Sequence, residues 1–244
     1  MFFPIVRCYY FITKDERLSR PLIVFNYFYT SFKRYLTKRL IRFKIVLKNP
    51  RGAFKEGLNM LIKNFFGHLW VITKHKWRVF LNCSRCGIPF RGIVHDLSKF
   101  SPTEFFESVK YYQGNRSPIG ACRRATGKSL AWLHHKGRNK HHIEYWIDTD
   151  LEHQPLMPYK YAVECICDKL AATRTYLGKS YTSDKPLWHF RTYGNKVPAN
   201  PKTIEFIDAV FCDVEKHGDR YVLKKSYLEE KYREICLDKE SGGQ

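Results

Sequence analysis

The side chains best suited to chemistry start with an adjacent pair, His95-Asp96, inside Gly92-Ile93-Val94-His95-Asp96-Leu97-Ser98-Lys99-Phe100. Imidazole and carboxylate both bind borderline and hard divalent cations, and adjacent residues can reach one ion. Alone, such a pair also fits a structural role. Its surroundings argue for more. His75 precedes it, and Asp168 follows in Val163-Glu164-Cys165-Ile166-Cys167-Asp168-Lys169-Leu170-Ala171-Ala172. An isolated carboxylate among such apolar neighbours is costly unless it is paired, protonated or metal-bound. His75, His95, Asp96 and Asp168 therefore make a ligand set for a divalent ion (Mn, Fe, Co, Ni, Zn or Mg) with positions left for water and substrate. His68 competes with His75 for the first place in that set.

A second concentration lies in Trp132-Leu133-His134-His135-Lys136-Gly137-Arg138-Asn139-Lys140-His141-His142-Ile143-Glu144-Tyr145-Trp146, which holds His134, His135, His141 and His142 among the chain's 10 histidines. One histidine of each pair can complete a second metal centre, leaving the others as supporting groups or general acids. The alternative is a basic surface loop that binds nothing. Lys136, Arg138 and Lys140 between the pairs suit the charge of a phosphate. Lys99 either reaches a phosphate or is solvated. Glu104 is expected to serve a helix cap rather than catalysis. His95, Asp96, Lys99, His134 and His135 are the candidates for a direct part in a reaction.

The order His75, His95-Asp96, the doubled histidines and Asp168 resembles the HD-domain superfamily of metal-dependent phosphohydrolases. Val94 to Lys99 is similar to its defining segment, and Asp168-Lys169-Leu170 to its closing aspartate. The resemblance implies an all-α, HD-domain-like helical bundle. It implies a first metal on His75, His95, Asp96 and Asp168, and a second, when present, on histidines between the pair and the last aspartate. It further implies a phosphate-containing substrate, nucleotide or otherwise. The chain departs from the pattern in a tight spacing from His75 to His95. Residues 65 to 190 also resemble an uncharacterised family found in bacteria and their phages, through Gly92 to Phe105 and His134 to Trp146; that likeness implies no activity.

Helices must position these groups. Leu58, Leu61, Ile62, Phe65, Leu69, Ile72 and Val79 repeat at helical spacing, so a helix is expected over 54–82, with His68 and His75 on or beside its apolar face and Gly87 beyond its end. Ser101-Pro102-Thr103-Glu104 reads as a capping box opening a helix to about Tyr112. Further helices are expected from Ala121 to His135, from Asn139 to Trp146, from Tyr159 to Leu177 ahead of Gly178, and from Asn200-Pro201 to Gly218. An exposed amphipathic helix is expected over 226–238, a short strand near 219–223, and a disordered tail from Ser241.

Composition bounds the rest. With 244 residues there is room for one sizeable domain, expected over 54–240, after a basic aromatic extension over 1–53. The formal net charge of +20 favours polyanions. Residues 33–55 hold nine lysines and arginines and no acid. They form either a solvated face or a contact for nucleic acid or membrane. Residues 21–48 suit an interfacial helix or one packed on the main domain. No apolar run is long enough to span a membrane. The eight scattered cysteines, with Cys83 and Cys86 in a lone C-x-x-C, point to reduced thiols and a cytoplasmic setting. A basic nucleic-acid-binding protein with structural histidines and aspartates is the competing reading.

Overall fold

The computed structural model describes residues 52–150 and 152–238, and among them every regular element is helical. The long helix α1 (Gly52–Arg85) leads into α2 (Pro89–Val94), a 3-10 turn (Leu97–Phe100), α3 (Pro102–Lys110), α4 (Pro118–Thr126) and α5 (Leu130–Lys136). A second 3-10 turn (Ile143–Trp146) precedes α6 (Tyr159–Leu177). Then come α7 (Lys185–His189), α8 (Pro201–His217), α9 (Asp219–Val222) and α10 (Lys225–Tyr232), the last running into a wider π turn (Arg233–Leu237). The all-α expectation holds. The chain divides after Leu58, with a compact unit over Asn59–Gln244. The extension expected over 1–53, its helix over 21–48 and the tail from Ser241 lie outside the described residues, apart from Gly52 and Ala53 in α1.

Local signals explain most boundaries. Pro102 and Pro201 sit in first turns, where a missing N–H costs nothing. The Asn200 side chain accepts from the Lys202 and Thr203 amides. Four expectations are corrected. The single helix from Ala121 to His135 is two, because Gly127 takes a left-handed conformation (φ 77°) and closes α4. The expected strand near 219–223 is the helix α9, whose first turn holds the acidic Asp219. The helix from Asn139 to Trp146 shrinks to its last four residues. The expected exposed helix over 226–238 buries Leu228, Tyr232 and Cys236 on one side.

Two apolar clusters organise the unit. The larger joins Val79 and Cys83 of α1, and Cys86 just past its end, to Ile166 and Leu170 of α6, Phe206 and Phe211 of α8 and Leu228 of α10. The smaller holds Ile72 of α1 with Phe105 and Val109 of α3. Ile72, His75 and Val79 share one face of α1 by their spacing of three and four. His75 thus falls between the clusters, carried inward by the apolar residues on either side.

Candidate metal centre

Four segments converge on one buried spot. The first is α1, which contributes His75. The second is the turn between α2 and the first 3-10 turn, which carries His95 and Asp96. Asp96 is the one non-glycine residue with positive φ (52°) among the described residues. Aspartate tolerates this region better than most residues, and such exceptions gather at functional sites. Two contacts hold the turn on α1. Lys76 Nζ donates to the carbonyl oxygens of Ile93 and His95, each at 2.6 Å. Gly92 lies so near that a Cβ there would stand 2.7 Å from Phe80 Cα.

The third segment runs from α5 to the second 3-10 turn and supplies His135, His141 and His142. Ser129 caps α5 by accepting from the Trp132 amide, and the Glu107 carboxylate of α3 accepts from the Leu130 and Ala131 amides. Asn139 donates to the His135 carbonyl and to Ser98, tying the histidine loop to the His-Asp turn. The fourth is α6, where Glu164 and Asp168, one turn apart, face the histidines.

Besides His95, His141 and Glu164, which also stand close enough to hold an ion, the ligand atoms form two groups that share Asp96. In the first, His75 Nε2 is 2.9 Å from Asp168 Oδ1, and His95 Nε2 is 3.4 Å from Asp168 Oδ1 and 3.2 Å from Asp96 Oδ2. In the second, Asp96 Oδ1 lies 3.3 Å from His135 Nε2 and 3.4 Å from His141 Nε2, with His142 beside them. Within each group all ligand atoms lie within 4.8 Å of one another. Ligands bound at about 2.1 Å stand roughly 3.0 to 3.4 Å apart around an ion, so these separations fit a divalent cation.

Hydrogen bonding tests that fit. The Nε2 atoms of His95, His141 and His142 and Oδ1 of Asp96 are buried and find no hydrogen-bond partner, while two further such atoms, His75 Nε2 and Asp96 Oδ2, meet only charged neighbours, Asp168 Oδ1 at 2.9 Å and Lys99 Nζ at 2.5 Å. They make up all but one of such side-chain atoms among the described residues, the other being the Tyr159 hydroxyl. Leaving so many buried polar atoms unpaired costs of order 1–3 kcal/mol each, and a bound cation removes that cost. The residues present fit a metal.

The opposite nitrogens are braced. Glu164 Oε1 bonds both His95 Nδ1 (3.0 Å) and His141 Nδ1 (3.3 Å), while Arg91 grips Oε2 through Nε (2.7 Å) and Nη2 (2.6 Å). Glu104 bonds His135 Nδ1 (2.7 Å) and His134 Nδ1 (2.6 Å). A carboxylate behind a ligating imidazole fixes its tautomer and ring angle. Electrostatics follow the charges. Burial raises the Asp96 and Asp168 carboxyls, but His95 and Lys99 on Asp96, and His75 and His95 on Asp168, outweigh it and hold both well below the usual range. Glu164 falls to about 2 because the histidine bonds outweigh its burial. Burial lowers His75 and His142, which favours the neutral, ligating form, whereas at His95 the surrounding acids outweigh burial and raise it. Lys99 Nζ lies 2.5 Å from Asp96 Oδ2, and that contact outweighs its burial and raises its pKa.

The structure therefore gathers His75, His95, Asp96, Lys99, His135, His141, His142 and Asp168. His134 is the exception: it turns to Glu104, outside both ligand groups. The expectation of one histidine from each pair becomes one from the first pair and both from the second. His68 packs against Phe105 and Tyr112 instead. Glu104 forms only half of a capping box. Its amide donates weakly to Ser101 while its carboxylate holds the two histidines. Glu164 and Arg91 escaped the sequence reading. Glu164 leaves a signal all the same, an acid one helical turn before Asp168 in the same apolar run.

Residues 64–213 match the family described as "Family of unknown function (DUF5662)", and the chain belongs to that family. No curated protein and no solved structure matches it.

Proposed function

We propose that this protein is a metal-dependent phosphohydrolase that cleaves a nucleotide or another phosphate ester. The observation that carries the reading is the pair of ligand groups sharing Asp96, with their inward-facing polar atoms unpaired. A divalent ion held there would supply a Lewis acid for a phosphoryl oxygen and lower the pKa of a water. His75, His95, Asp96 and Asp168 would hold one ion, and Asp96, His135, His141 and His142 the other. Glu164 and Glu104 orient the histidines. Lys99, beside Asp96, would meet a phosphate oxygen. Imidazole and carboxylate without thiolate suit hydrolytic ions, and the order of ligands resembles the HD-domain phosphohydrolases. Free thiols at every described cysteine agree with a reducing, cytoplasmic setting, and the assignment of one catalytic domain to 54–240 belongs to the same proposal. The net charge of +20 favours the competing reading, a nucleic-acid binder; that reading leaves the unpaired buried atoms without a purpose.

The test is metal content by elemental analysis, with turnover on a panel of nucleotides and phosphate esters. Asp168→Ala should lose one ion per chain, His142→Ala the other, and Asp96→Ala both, each with loss of turnover. Purified protein that takes up no divalent metal, with the three variants unchanged, would sink the proposal.

A further inference from the structure

The segment that runs from the His-Asp turn to the last of the clustered histidines also carries an unusual surface. In the segment 97–142 the acids are Glu104 and Glu107 alone. Both are spent internally, Glu104 on His134 and His135, Glu107 on Ser129 and the amide nitrogens opening α5. The same segment exposes Lys110, Arg123, Arg124, Lys128 and Arg138. Between these cations stand large apolar side chains that find no cover: Phe106 of α3 is 61% exposed, Leu130 and Leu133 of α5 are 54% and 52% exposed, and Leu97 beside Asp96 is 55% exposed.

These positions belong to one layer. Helix α3 packs against α4, α5 and the first 3-10 turn. Phe106 and Lys110 share a face of α3 at a spacing of four, and Leu130 and Leu133 share one of α5 at a spacing of three. The Arg123 guanidinium of α4 lies over the Trp132 ring of α5 at 5.4 Å, which joins the outer helices of the layer.

We propose that the layer α4–α3–α5 is a docking surface for an anionic lipid bilayer. Leucine and phenylalanine side chains gain by entering the acyl boundary, and the surrounding lysines and arginines gain from acidic headgroups. No free carboxylate on the segment opposes them. A polynucleotide would use the cations equally well and could stack a base on Phe106, but Leu97, Leu130 and Leu133, three of the four apolar residues, offer it no ring. The apolar residues therefore decide for lipid. Among the described residues no helix is long and apolar enough to cross a membrane; the contact proposed for this layer is a peripheral one. Because Leu97 adjoins Asp96, docking would bring the metal centre to the headgroup layer.

The experiment is co-sedimentation of the full chain with vesicles of phosphatidylcholine alone and of phosphatidylcholine with phosphatidylserine, alongside two double variants, L130S/L133S and R123E/R124E. All four positions are exposed and lie outside both ligand groups, and circular dichroism checks that the variants fold. The parent should pellet with the phosphatidylserine vesicles and stay in solution with phosphatidylcholine alone. Each double variant should lose roughly tenfold or more in partitioning. The proposal is overturned if the parent fails to pellet with acidic vesicles, or if both variants pellet as the parent does. It is equally overturned if R123E/R124E loses binding to single-stranded oligonucleotide while L130S/L133S leaves vesicle binding untouched.

Discussion

Glu164 shows most clearly how much of the centre depends on groups outside the two ligand sets that share Asp96. One of its oxygens steadies an imidazole from each ligand group, and the other is fixed by Arg91. Glu164→Gln keeps the shape but carries no charge, and its amide nitrogen must face either the imidazole N–H groups or the Arg91 guanidinium, donor against donor. Metal affinity should fall by roughly 10- to 100-fold, and it should fall for both ions, because His95 and His141 belong to different groups. Competition titration with a chromophoric chelator reads this directly. A loss confined to one ion would show that the shared oxygen does not couple the groups. His134→Ala makes the opposite case. His134 faces Glu104 and not the ligands, so the number of ions per chain should stay the same.

At the scale of elements, the site depends on α2 lying almost in contact with α1. Gly92→Ala sets a methyl group against the Phe80 backbone, which cannot move aside as a side-chain tip could. The expected cost is about 1–3 kcal/mol, with weaker metal binding because His95 and Asp96 ride on the displaced turn. Thermal melts with and without metal test this, and an unchanged melt would show that α2 has slack. The same scale shows what the sequence could and could not tell. Proline and asparagine starts and the Gly178 stop mark α6 and α8 because their signals are local. The break at Gly127 was legible only in hindsight, since a glycine within a periodic run is also tolerated inside a helix. Which histidines of the 134–142 segment turn inward was not legible at all. Both pairs have the same chemistry, and the choice is made by the Glu104 and Asn139 contacts, which exist only after α3, α5 and the His-Asp turn have packed.

For the whole molecule, acidity is the sensitive variable. Burial, aided by Lys99, lowers His68 from 6.5 to about 4. The unfolded chain therefore takes up a proton at His68 before the folded chain does. This share of stability is complete above pH 6.5 and is lost as pH falls from 6.5 to about 4. Glu164, lowered from 4.5 to about 2, adds a second loss between those values. Melting temperature measured in chelator should decline over both windows, and His68→Gln should flatten the upper one. An identical slope in that variant would place the acid sensitivity elsewhere. The large cluster should unfold as one unit. Phe206→Ala, at a wholly buried position, is expected to cost about 3–5 kcal/mol in denaturant titration.

The left-handed backbone of Asp96 sets a trade between durability and use. At ordinary helix positions alanine is the more stable choice over glycine, but at a positive φ the order reverses. Asp96→Gly should therefore melt above Asp96→Ala by an amount on the order of 1 kcal/mol, although both have lost the same carboxylate. A chain selected for endurance alone would keep glycine there. Holding an aspartate at that place means giving up some ruggedness for an oxygen on each side of a shared centre.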